Sequence, residues 1–125
     1  MRLPNSPLLR STLAGIAGFL VYGGWAFYAN SAHGDMIAMR SGLVQGSYSL
    51  ALTFLMTLVT EYLFARLRLL WSTTAVVSVI LFASAYGIHV LVGTPEILMT
   101  ILPGYVIGTI YTAAYVLGLR RALPA

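Results

Sequence analysis

The sequence has no cysteine and no lysine, and its only acids are Asp35, Glu61 and Glu96. Without cysteine there can be no disulfides, thiolate metal sites, iron–sulfur clusters or thiol nucleophiles. Charged residues make up 8% of the 125 residues, where an ordinary soluble domain has about 25%. So few charges cannot clothe a water-facing surface. A hydrophobic share of 59% and a mean hydropathy of +0.88 make lipid the main solvent of this chain. Other signals are missing too. There is no nucleophile–base arrangement, phosphate-binding glycine loop or paired-carboxylate site, so a hydrolase or transferase is not expected. The two His and three acids match no metal-ligand spacing, so neither a metal nor another cofactor is expected. The net charge of +4 comes from seven Arg scattered in pairs, not a patch, so nucleic acid is not an expected partner.

What is present is a succession of long apolar runs. They predict an all-α integral membrane bundle, a single domain over 1–125 with four transmembrane helices at roughly 11–30, 42–66, 73–92 and 95–119. Ser6-Pro7 or Ser11 suits the first helix start. This run ends in Trp25, Phe27 and Tyr28, which favours a retained helix over a cleaved signal peptide. Asn30 to Arg40 reads as a polar loop broken at Gly34. Ser72 is the expected cap of helix 3. Thr94-Pro95-Glu96 is the expected start of helix 4, with Thr94 as cap and Pro95 in the first position. Pro103 should kink that helix.

Six of the seven arginines (Arg2, Arg10, Arg66, Arg68, Arg120 and Arg121) fall at the termini and the turn between helices 2 and 3. The positive-inside rule then predicts cytoplasmic N and C termini. Trp25 and Tyr28 on one side, and Tyr62 and Trp71 on the other, suit interfacial belts. A bacterial inner membrane is the expected location. A weak internal repeat relates the two hairpins, with Gly42-x-x-x-Gly46 and Gly104-x-x-x-Gly108 lying 62 residues apart. Both glycine pairs are expected at close helix contacts, within one chain or between copies.

Helix 2 carries the most informative pattern. Gly42, Gly46, Ser49, Thr53, Thr57 and Glu61 recur at steps of 4, 3, 4, 4 and 4 and so share one face. That face must meet protein or a wet cavity, because polar groups in hydrocarbon need partners. Glu61 is the one acid within an apolar span, expected either to pair with Arg66 or Arg68 or to serve as a proton or cation site. Gln45, Thr53, Thr57, Glu61, His89 and Tyr105 are the candidates for a substrate or ion pathway. His33, Asp35, Arg40 and Glu96 form a candidate polar cluster on the outer side. The leading functional expectation is movement of a small solute or amphiphile across the membrane by a homo-oligomer. The alternative is a non-catalytic accessory or scaffold subunit of a larger membrane complex, with the polar stripe meeting another membrane protein.

Overall fold

The computed structural model describes residues 6–123. Arg2, used above to orient the chain, lies outside them. The fold is all helical: α1 (Pro7–Asn30), α2 (Asp35–Leu67), α3 (Leu70–Val92) and α4 (Ile97–Ala122), with a short 3-10 turn at Ser31–His33. All four helices are long and apolar enough to cross a membrane. Their outward side chains agree. Leu20 is 65% exposed, Val79 67% and Leu91 86%, an apolar surface that water would not tolerate. The chain is a multi-pass membrane protein.

Successive helices run antiparallel. One end of the bundle, called the tip end below, carries the α1–α2 and α3–α4 turns. The other carries the α2–α3 turn and the two outer helix ends. Ser6 caps α1, its hydroxyl accepting from Leu9 N at 3.4 Å, and Pro7 takes the first turn. Of the two sequence starts for this helix, Ser6-Pro7 is the one used.

Besides the end of α4, which runs on to Ala122 instead of 119, three boundaries differ from the sequence reading. The polar loop over 30–40 shrinks to Ser31–Gly34, because Gly34 at φ +104° turns the chain at once and Asp35 sits at the positive end of α2. Helix α3 starts at Leu70, ahead of Ser72, because Arg68 adopts the left-handed conformation (φ 60°) and closes the turn in two residues. Helix α4 starts at Ile97, because the Thr94 hydroxyl is drawn into the bundle instead of capping. Asn30 replaces that cap from α1: its Oδ1 accepts from Glu96 N at 3.0 Å.

Helices α1 and α2 make the closest pairing. A Cβ on Gly23 would lie 2.9 Å from the Gly42 carbonyl oxygen, and a Cβ on Gly42 would lie 2.9 Å from that of Gly23. A Cβ on Gly46 would lie 3.0 Å from the Phe19 carbonyl. Only α-hydrogens fit between these backbones, which is how membrane helices gain dispersion and weak Cα–H···O contacts. The first glycine motif therefore serves packing within the chain. The second is also turned inward: Gly104 faces Gln45 and Tyr22, and Gly108 faces Leu81. A small apolar core of Met56, Val77 and Leu81 joins α2 to α3, with Leu52, Leu63 and Tyr105 against it.

Pro103 lies inside α4 and has no N–H to give to the carbonyl four residues back, that of Met99. Trp25 on α1 supplies the missing donor: its Nε1–H reaches Met99 O at 2.7 Å. The proline thus opens a carbonyl, and the neighbouring helix closes it.

Candidate functional site: a cavity beneath a buried polar network

The four helices enclose a cavity of about 290 Å³. Its wall is largely apolar, with Leu52, Met56, Leu81 and Ile101 among the contributors. The polar contributors are Gln45, Tyr48, Ser49, Thr53, Thr57 and three further tyrosines, Tyr22, Tyr105 and Tyr111. No charged side chain lines it. The lining residues Ala14 on α1, and Ile107 and Tyr111 on α4, are also exposed on the outside of the bundle. The cavity therefore opens sideways between α1 and α4, which are held together nearer the tip by the Trp25 bond and by Asn30 to Thr100.

At the tip end of the cavity stands a buried polar network. His89 is 0% exposed and Gln45 2%. His89 Nε2 lies 2.8 Å from Gln45 Oε1, and His89 Nδ1 lies 2.7 Å from Thr94 Oγ1. Ser41 Oγ donates to Thr94 Oγ1 at 3.3 Å. A second cluster lies beside it. Asn30, also fully buried, donates from Nδ2 to Ala26 O at 2.8 Å and to Thr100 Oγ1 at 2.7 Å. Thr100 donates onward to Glu96 O at 2.6 Å. Both amide hydrogens and the carbonyl oxygen of Asn30 are used, so it locks the two tip turns together.

The sequence candidates are distributed unevenly. Gln45, Thr53, Thr57 and Tyr105 line the cavity, and His89 stands directly behind Gln45. Ser49 joins them, while Gly42 and Gly46 on the same stripe turn toward α1. From Gly42 to Thr57 the stripe therefore divides between a packing seam and a cavity wall. Tyr105 accepts from Ser78 Oγ at 2.8 Å and meets Phe82 edge to face, so its ring is fixed in the wall. Tyr48 bridges to α3 through Leu81 O at 3.1 Å and Ser84 Oγ at 2.8 Å.

Glu61 does not line the cavity, and it does not pair with Arg66 or Arg68. Its partner is the Tyr115 hydroxyl, donated from α4, and Tyr115 stacks on the cavity residue Tyr111 with centroids 6.0 Å apart. Arg66 instead lies 5.1 Å over the Tyr62 ring, and Arg68 donates to Ala65 O at 3.2 Å. Both arginines fold back onto their own helix, while Glu61 lies on the side facing α4.

The proposed outer cluster is joined in part. His33 and Glu96 lie 3.0 Å apart across the two tip turns. The Arg40 guanidinium lies near Gly93, where it would touch an added Cβ at 3.6 Å. Asp35 is exposed in the first turn of α2 and belongs to no ion pair among the described residues. Among the described residues, no three His, Cys, Asp or Glu side chains gather to hold a metal ion.

Sequence reasoning missed Ser41, Tyr22 and Thr100, read Asn30 only as one of the outer polar residues, and took Thr94 for a cap. Thr94 was hidden by the strength of the Thr-Pro-Glu start signal. The Trp25 bond had a readable signal: a proline within a helix always leaves a carbonyl that needs a donor. Comparison with protein-family models, curated proteins and solved structures finds no match.

Proposed function

We propose that this protein moves a small solute or amphiphile across the membrane, working as a homo-oligomer. The observation that carries this reading is the side-opening cavity, walled by four of the six pathway candidates and capped by a fifth, His89. Ligand sites in helix bundles are of this kind: mostly apolar, with a few convergent polar groups. At about 290 Å³ the cavity holds one small molecule rather than a hydrated pore. That favours passage from site to site, or along a path completed by a second copy. The arginines at the termini and the α2–α3 turn support cytoplasmic termini, and we read the host membrane as a bacterial inner membrane.

A second reading, an accessory subunit of a larger complex, has its own support. Gly24, Gly87 and Gly118 have open space where a side chain would be, so a partner helix could approach the backbone there.

The test is flux in liposomes across a panel of small solutes and amphiphiles, comparing wild type with Glu61→Gln and with Gly104→Leu, which fills the cavity beside Gln45. Loss of flux for at least one compound in Gly104→Leu is expected. Equal flux of every compound in all three proteins would overturn the transport reading. The mass of the particle from native membrane separates identical chains from a mixed complex.

A further inference from the structure

We infer that the cavity is a binding site for a neutral, mainly apolar amphiphile bearing one hydrogen-bond acceptor, and that the side-chain amide N–H of Gln45 is the group that recognises it. The inference deepens the transport reading above and rests on the same cavity.

The direction of the hydrogen bonds around His89 decides the polarity of the site. Ser41 gives its hydroxyl proton to Thr94 Oγ1. The Thr94 proton is then free for His89 Nδ1, 2.7 Å away. Gln45 Oε1 can only accept, so neutral His89 carries its hydrogen on Nε2 and donates it there at 2.8 Å. The Gln45 oxygen is thereby engaged, and its Nε2 is left as a donor. Among the described residues that nitrogen has no hydrogen-bond partner, although Gln45 is 2% exposed and lines the cavity. The nitrogen is not sealed off, as the Thr60, Thr73 and Thr74 hydroxyls are; it opens on the cavity, where the apolar wall gives a donor no partner. The ligand is the group that completes it. Gly104 keeps the approach open: a Cβ there would stand 3.5 Å from Gln45 Nε2, and a longer side chain would fill the space.

The rest of the wall fixes the remainder of the ligand. No lining residue is charged, so an ion would lose its hydration without a counter-charge. Leu52, Met56, Leu81 and Ile101 match an apolar body. The mouth at Ala14, Ile107 and Tyr111 faces the bilayer side of the bundle, so the ligand arrives from lipid. A carbonyl, ether or hydroxyl oxygen on an alkyl or ring body has this chemistry.

The experiment uses the full chain in nanodiscs of neutral lipid and three probes of equal length: a long-chain methyl ketone, the alkane and the carboxylate. Binding is read by equilibrium partition of radiolabelled probe into loaded over empty discs. The ketone should bind about fivefold more tightly than the alkane, the value of one ordinary net hydrogen bond. The carboxylate should bind weakest. Gln45→Met should erase the preference for ketone over alkane while keeping alkane binding. Gly104→Leu, which leaves the His89 network in place, should weaken both. Equal binding of ketone and alkane to wild type, or an unchanged preference in Gln45→Met, overturns the inference. Selective ketone binding without flux of any compound upholds the site and overturns transport. Flux blocked by Gly104→Leu without ketone preference does the reverse.

Discussion

The α1–α2 seam makes a sharp prediction, because adjacent glycines on α1 face opposite fates. A Cβ at Gly23 would sit 2.9 Å from the Gly42 carbonyl oxygen and 3.3 Å from Gly46 Cα, both backbone atoms that no rotamer change can move. To restore an ordinary contact, the two helices must part by about half an ångström, and every close pair along the seam loosens with them. At Gly24 a Cβ would meet nothing within 4 Å. Both Gly→Ala changes gain the same helix propensity, up to about 1 kcal/mol. The difference between them therefore isolates the cost of overpacking, about 1–3 kcal/mol. Gly23→Ala should be less stable than Gly24→Ala by that amount, and Gly24→Ala should be equal to wild type or slightly better. Reversible unfolding in mixed detergent and SDS micelles, followed by circular dichroism, measures both. If the two variants agree within a few tenths of a kcal/mol, the close approach of α1 and α2 is wrong.

Two other contacts can be tested in the same assay. Trp25→Phe removes the donor that serves Met99 O and should cost about 1 kcal/mol; in a Pro103→Ala background, where the helix supplies its own N–H, the same change should cost measurably less. Asn30→Ala removes three hydrogen bonds from a fully buried position and should cost about 2–3 kcal/mol, with amide exchange rising first at Glu96; unchanged protection there would refute the role of Asn30 as cap of α4.

The number of helices, their order and their membrane-spanning character were legible because they rest on composition and length, which bilayer thickness constrains strongly. The stripe on α2 was legible as a face, since 3.6-residue periodicity survives folding. Its division was not, because Gly42 and Thr57 look alike in pattern and differ only in which neighbour each meets. Helix ends were read less well. Thr94 has good capping chemistry, but a buried His89 offers its hydroxyl a drier and better-placed partner, and tertiary contact outweighs a local signal worth about 1 kcal/mol. One of the two readings of Glu61 paired it with the nearest arginines along the chain. Its partner, Tyr115, is 54 residues away, a separation that a single sequence cannot pair.

Helix α2 is 33 residues long, about 50 Å of helix, while α3 has 23 residues and about 35 Å. A hydrocarbon layer of about 30 Å suits the second far better than the first. The surplus must be taken up by leaning and by projection at the tip, where Asp35 and Arg40 remain in the polar zone. Two helices of unequal reach, joined by a turn of two residues, cannot both follow the same change in bilayer thickness. A thinner membrane leans α2 further against α3 and α4. Because those three helices supply three of the four walls of the cavity, its width becomes a property of the surrounding lipid as well as of the chain.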